Sequence, residues 1–359
     1  MDKIDILLQE FNFPIFYLKV AFSMLSSFLI VFYTVPTVIK ISRRKNLMDE
    51  PGQRSSHERK IPNLGGIALF FAIAVCTSIY AYQLFDLYKF LFASLVILLY
   101  VGVMDDIVVM RAYKKLLAQV IVSTMLVIGS DVRIRNLFGV FGIYELNYFL
   151  SVIFSIITFI ILVNAYNLID GIDGLAGIYG VICFALFGIS YYRLGAYNYP
   201  LVILSTTIIG AITGFLYYNL SERSKKIFMG DTGSMLLGFL LTFTAICFID
   251  IFIAKKGPGM VFYHLGSAPV IAVSILILPI IDTLNVILIR LAEKRSPFDA
   301  DKNHIHHKLL KLGFTHKRAT FSYYCGYLFF KTYKCKFTFD YRFGFRFFRS
   351  LFAKYLLKI

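Results

Sequence analysis

The sequence predicts an all-α bundle of about ten membrane-spanning helices, on three observations. Apolar residues make up 58% of the 359 residues and charged residues 16%, against about 25% charged in a soluble domain. Apolar stretches recur along the chain, each near the ~20 residues that cross a bilayer as a helix. The loops between them alternate between basic-rich and basic-poor.

The first apolar run, 14–39, is too long for a signal-peptide core and lacks a clear small-residue cleavage site. Asp2, Asp5 and Glu10 accompany Lys3 ahead of it, so it is expected to remain as the first span. Further spans are expected near 65–85, 88–104, 116–130, 146–166, 174–192, 199–218, 233–253 and 266–289, with a tenth beginning near 321. The loops after the odd-numbered spans (40–64, 105–115, 167–173, 219–232 and 290–320) hold 21 Lys and Arg, and the other four, counting Lys89 at the edge of the third span, hold six. The positive-inside rule assigns the first set to the cytoplasm of a plasma-membrane (inner-membrane) protein. No internal repeat suggests a transporter of two related halves.

The net charge of +16 invites a nucleic-acid partner. The basic residues sit between apolar spans, however, so the expected partner is the membrane and not nucleic acid. The five cysteines, Cys76, Cys183, Cys247, Cys325 and Cys335, form no CxxC pair, which argues against a disulfide framework or a zinc site built on them.

The polar clusters carry the functional argument, because nearly all fall in the basic set of loops. Asp105-Asp106 ends the third span. It reads as a solvated helix end, or as a base with an orienting partner, or as part of a metal site. Lys114 and Lys115 follow, either as ordinary positive-inside residues or as neutralisers of a phosphate.

After the fifth span comes Asn164-Ala165-Tyr166-Asn167-Leu168-Ile169-Asp170-Gly171-Ile172-Asp173-Gly174. Carboxylates near bilayer depth are costly, glycine admits a ligand close to the backbone, and Asp and Asn oxygens suit Mg²⁺. The alternative is a polar turn with no ligand.

Phe228-Met229-Gly230-Asp231-Thr232-Gly233-Ser234 opens the eighth span. Asp231 or Thr232 is expected either to cap its own helix or to belong to a phosphate or metal site. Ser296-Pro297-Phe298-Asp299-Ala300-Asp301-Lys302-Asn303-His304-Ile305-His306-His307 holds three of the six histidines. Zinc is one reading. Diphosphate binding with Arg290 or Arg295 fits the oxygen-rich surroundings better. Asp49, Pro51, Arg54, His57, Pro62, Gly65 and Gly66 in and after the first loop are either a topology signal or the mouth of the site.

Taken in order, the Asp-Asp pair and the NLIDGIDGLAG, GDTGS and SPFDADKNHIHH segments resemble the polyprenyl-phosphate N-acetylhexosamine-1-phosphate transferases of glycosyltransferase family 4. The resemblance covers roughly residues 40–320. It implies ten or eleven spans with five cytoplasmic loops forming one Mg²⁺-dependent site, Mn²⁺ being a possible substitute.

By motif match, the resemblance implies that Asp231 binds the metal with Asn167 as second ligand, and that Asp170 and Asp173 line the nucleotide-sugar pocket. It makes Asp105 the base toward the lipid phosphate, supported by Asp106, with Lys115 near the phosphates. Arg290, His304, His306 and His307 would contact the diphosphate or uridine. The HIHH spelling is similar to the O-antigen (lipopolysaccharide) and teichoic-acid branch, so UDP-GlcNAc is the donor first expected and undecaprenyl phosphate the acceptor. Direct attack and a covalent two-step route have both been argued for the family.

A transferase domain is thus expected over 1–320. Residues 331–359 hold eight Lys or Arg against the single acid Asp340, a density hard to bury in a bilayer. A basic aromatic tail on the membrane surface and a tail from a shifted reading frame both fit 321–359. A polytopic transporter and an intramembrane zinc hydrolase are the competing classes. Flux without phosphotransfer would mark the first and tightly bound zinc the second.

Overall fold

Among the described residues of the computed structural model, seven helices are long and apolar enough to cross a membrane, and a bent pair makes up to eight. The structure describes residues 15–48, 60–108, 110–221, 225–252, 267–293 and 320. The protein is a multi-pass helical membrane protein, and Asn136 and Glu145 form an isolated antiparallel bridge in the connection between two of its helices.

The helices are α1 Ile15–Arg44, α2 Gly65–Tyr80, short α3 Gln83–Leu87 and α4 Leu91–Val108. Next come α5 Ala112–Thr124, continued by a π-turn over Met125–Gly129, and α6 Tyr148–Ile169. Then follow α7 Leu175–Arg193, α8 Tyr199–Asn219, α9 Gly230–Ile251, α10 Ala268–Ile275 and α11 Ile277–Ala292.

The expected count of ten is not reached among the described residues. The second expected span stops at Tyr80, where the Ala81 N–H closes on Thr77 O, so α2 is an apolar helix of only 16 residues. The tenth lies outside the described residues. The ninth is broken, with α10 and α11 meeting at 73°. Pro279 explains the break, because it has no N–H to give the Ile275 carbonyl four residues back. That carbonyl instead accepts the Tyr179 hydroxyl at 2.7 Å.

The same device recurs at Pro36 inside α1. The Phe32 carbonyl it leaves without its helical donor accepts the Tyr218 hydroxyl at 2.8 Å. In lipid an unpaired backbone carbonyl costs several kcal/mol, so each proline is matched by a tyrosine from a neighbouring helix.

α9 forms the centre, buried on every side as a helix apolar all round should be, with α2, α4, α6 and α7 packed around it. α1 lies against α8 through Gly210 and Gly214. A Cβ at Gly210 would stand 2.1 Å from the Met24 carbonyl oxygen, so small residues four apart let two backbones approach where apolar burial alone gives no drive. The ends of α4, α6 and α8 and the starts of α5, α7 and α9 thereby meet at one end of the bundle.

Candidate active site

Asp105 and Asp106 stand in the last turn of α4. Neighbours on a helix point about 100° apart, and these two carboxylates serve different partners. Asp105 is 7% exposed; its Oδ2 holds Lys115 Nζ at 2.5 Å, and its Oδ1 accepts the Met110 N–H at 2.6 Å. Lys115, in the first turn of α5, also donates to Asp231 Oδ2. One ammonium thus bridges carboxylates from α4 and α9.

Asp106 crosses to the start of α9. Its Oδ1 accepts the Asp231 N–H at 2.8 Å, and its Oδ2 accepts the Thr232 N–H at 3.1 Å and the Thr232 hydroxyl at 2.6 Å. The first N–H groups of a helix lack internal partners. Of the two readings of this segment, self-capping by Asp231 or Thr232 is the one the structure corrects: no side chain at the N-cap position satisfies them, and the acceptor comes from another helix. The approach is close enough to exclude side chains. A Cβ at Gly230, which has φ +70°, would lie 2.0 Å from Asn63 O and 2.6 Å from Asp106 Oδ2. Asn63 Nδ2 in turn donates to the Asp106 carbonyl at 3.1 Å.

Asn167, in the last turn of α6, donates to Asp231 Oδ1 at 3.0 Å and to Ser234 Oγ at 2.7 Å. Asp105, Asp106, Lys115, Asn167 and Asp231 therefore form one connected cluster, although α4, α5, α6 and α9 contribute them separately.

Asp170 and Asp173 occupy the adjoining turn between α6 and α7. Burial, together with the carboxylates of Asp231, Asp106 and Asp173, pushes the Asp170 carboxyl well above the usual carboxylate range. Asp173 Oδ2 is held by Lys226 Nζ at 2.5 Å, and its carbonyl accepts the Thr320 hydroxyl at 3.0 Å. Asn219 ties the turn to the segment before α9: its Oδ1 accepts the Gly174 N–H at 2.7 Å and its Nδ2 donates to Ile227 O at 2.9 Å.

The stretch before α2 lies along that same segment, with Phe228 N to Pro62 O at 2.8 Å, Gly65 N to Phe228 O at 3.0 Å and Gly66 N to Met229 O at 2.9 Å. Of the first-loop residues, Pro62, Gly65 and Gly66 thus join the site's frame. Asp49, Pro51, Arg54 and His57 lie outside the described residues, as do His304, His306 and His307. Arg290 is buried in the last turn of α11, on the helix packed against α6.

Asn63, Lys226, Asn219, Ser234, Gln119 and Asn164 carry no individual role in the sequence reading. Gln119 carried a usable signal, an amide inside an apolar span. Lys226 was masked by its setting, since a lysine in a basic loop reads as topology.

Among the described residues, no three His, Cys, Asp or Glu surround a common point as a protein-only metal cage would. What the site offers is a dense group of oxygen donors around one lysine.

Comparisons with known proteins point the same way. Residues 87–249 match the model of glycosyl transferase family 4. The chain is similar to the undecaprenyl-phosphate alpha-N-acetylglucosaminyl 1-phosphate transferase of Haemophilus influenzae, 31% identical over 302 residues, which is 83% of this chain and 81% of the relative. It is 29% identical over 309 residues to the Escherichia coli K12 protein of that name, covering 84% and 79%. With the Salmonella typhi one it is 29% identical over 287 residues, covering 78% and 73%.

Proposed function

The chain is a member of glycosyl transferase family 4, and we propose that it transfers N-acetylglucosamine-1-phosphate from UDP-N-acetylglucosamine to undecaprenyl phosphate, releasing UMP. It is a membrane-embedded polyprenyl-phosphate sugar-1-phosphate transferase. The finer reading adds donor, leaving group and setting: the inner membrane, the site end toward the cytoplasm, and the first lipid-linked step of a cell-surface polysaccharide. The observation that carries it is the convergence of Asp105, Lys115, Asn167 and Asp231 at one end of the bundle.

The chemistry follows from charge. A lipid phosphate must attack the β-phosphorus of an anionic diphosphate, so repulsion is the main obstacle. In this reading Asp105 takes the remaining proton of the lipid phosphate. The oxygen freed by it forms the new P–O bond as the bond to UMP breaks. Lys115, held by two carboxylates, is a cation placed beside those reacting groups. Asp170 and Asp173 line the nucleotide-sugar pocket, with Arg290 and His304, His306 and His307 toward the diphosphate and uridine.

Magnesium, or manganese in its place, belongs to the proposal. It prefers oxygen donors and is commonly held by one or two carboxylates plus substrate phosphates, and Asp231 with the Asn167 amide matches that sparse set. When bound it would offset the diphosphate charge and stabilise the leaving UMP.

The deciding experiment incubates the purified chain with undecaprenyl phosphate and a panel of UDP-sugars and follows UMP release. Release with UDP-GlcNAc alone is expected. Release with another sugar would move the donor assignment, and solute flux with no UMP would favour a transporter. For orientation, the excess of basic residues in one loop set argues for the cytoplasm. Single cysteines near 105, 170, 231 and 304 should resist labelling from outside intact cells.

A further inference from the structure

We propose that Gln119 and Asn164 are positioning residues, an amide clasp beneath the cluster that sets Lys115 and Asn167 against Asp231. The inference rests on reading that cluster as the reaction centre.

The two side chains exchange hydrogen bonds across α5 and α6. Asn164 Nδ2 donates to Gln119 Oε1 at 2.6 Å, and Gln119 Nε2 donates to Asn164 Oδ1 at 3.3 Å. Gln119 Nε2 also reaches Met235 Sδ on α9 at 3.8 Å. Both Gln119 and Met235 are buried.

The spacing gives the clasp its meaning. Gln119 is four residues after Lys115 on α5, Met235 is four after Asp231 on α9, and Asn164 is three before Asn167 on α6. Residues three or four apart share a helix face. α5 and α9 run away from the site and α6 runs toward it, so all three lower residues lie one turn deeper, about 5 Å. The site is therefore built as two stacked layers on the same three helices. The upper layer is Lys115–Asp231–Asn167 and the lower is Gln119–Met235–Asn164.

A reciprocal amide pair differs from an apolar contact in that it has a unique register. Leucine at both positions would pack yet allow either helix to rotate or slide. An amide slipped by one residue leaves donors unpaired in a setting without water. The clasp thus specifies both depth and rotation of α5 against α6, and these decide whether the Lys115 ammonium meets the two carboxylates.

The test compares the full-length parent with Gln119→Leu, Asn164→Leu and the swapped double variant Gln119→Asn/Asn164→Gln, which keeps the combined side-chain length. Two readouts are taken on each purified protein beside its melting temperature. The first is steady-state transfer by UMP release. The second is labelling of Lys115 by an amine-reactive reagent relative to Lys114, its exposed neighbour, resolved by peptide mass spectrometry.

A displacement near 1 Å at a reacting group can cost about 10²-fold, so each leucine variant should lose about ten- to a hundredfold in kcat. Donor KM should stay within about twofold, as expected when ground-state binding is untouched. The Lys115-to-Lys114 labelling ratio should rise severalfold, and the swapped variant should restore both readouts. An unchanged ratio, or an unchanged kcat, in the leucine variants overturns the proposal. So does a loss of kcat that merely follows the melting temperature and is not rescued by the swap. If the parent releases no UMP from any UDP-sugar, the functional reading fails, and the labelling ratio still decides whether the clasp holds Lys115.

Discussion

At the end of the bundle remote from the site, Arg135 pairs with Asp131 and Asp250, and Arg133 pairs with Asp131 while lying 4.8 Å from the centre of the Tyr148 ring. Partial burial would raise the Asp131 carboxyl, but the two guanidinium groups hold it below the usual range. Two cations meet two anions there, and the network staples the 130–147 connection to the end of α9. At the site end, Asp105, Asp106, Asp170, Asp173 and Asp231 crowd together, and Lys115 and Lys226 pair with three of them. Carboxylates crowded together raise one another's affinity for protons and cost stability. A balanced network holds a fold together, whereas carboxylates crowded around shared lysines fit the proposed arrival of a cation or a proton.

The largest effect should come from Asp231, which Lys115 and Asn167 share. Asp231→Ala, or removal of divalent cations with EDTA, should cut transfer by at least about 10³-fold, at or beyond the loss of a single electrostatic stabiliser. Full activity under either condition would dissolve the metal assignment and, with it, the functional reading of the crowded carboxylates.

Asp105→Asn keeps size and removes the proton acceptor. A loss of about 10²–10⁴-fold, the usual worth of general-base assistance, is expected with UDP-sugar binding retained, as read by isothermal titration. Lost binding would instead move Asp105 to the nucleotide pocket, and an unchanged rate would make it a solvated helix end.

Asp106 sharpens the contrast from within the site, since its carboxylate is spent on the α9 N-terminus. Asp106→Ala should cost about 1–2 kcal/mol of stability, the range for a lost helix cap. A transfer defect through the displaced Asp231 should accompany it. A melting temperature equal to the parent's would refute the capping role.

The remote network should behave oppositely. Arg135→Met alone should destabilise by about 1–2 kcal/mol, less than a fully buried broken pair because both partners are partly exposed. Adding Asp250→Leu should recover much of that loss. Transfer per folded molecule should stay near the parent's in both, and a rate defect would show that this end also serves the reaction.

Asp170 gives the smallest and most directional effect. Its folded carboxyl is raised, so the native state binds the proton more tightly than the unfolded chain does. The stability it contributes is fully present below the unfolded value of about 3.9 and is lost as pH rises toward the raised folded value. In EDTA, the parent should therefore lose stability relative to Asp170→Asn as pH increases, measured by paired thermal melts. Parallel curves would remove the argument that neighbouring carboxylates crowd Asp170.

Most span positions were legible in the sequence because crossing a bilayer is a local demand on length and polarity. α6, α7 and α8 begin and end within a few residues of the expected bounds. The two-way split of basic residues and the gathering of acids into one set of loops were equally readable, since both depend only on what lies between apolar runs. The tertiary structure alone decided who answers whom. Pro36 and Pro279 each leave an orphaned carbonyl, and nothing in the sequence says that Tyr218 and Tyr179 fill it. Asp105 and Asp106 are adjacent and identical in type. Yet one holds a lysine and the other caps a helix about 125 residues away, because that choice rests on the rotation and distance of neighbouring helices, which exist only once the chain has packed.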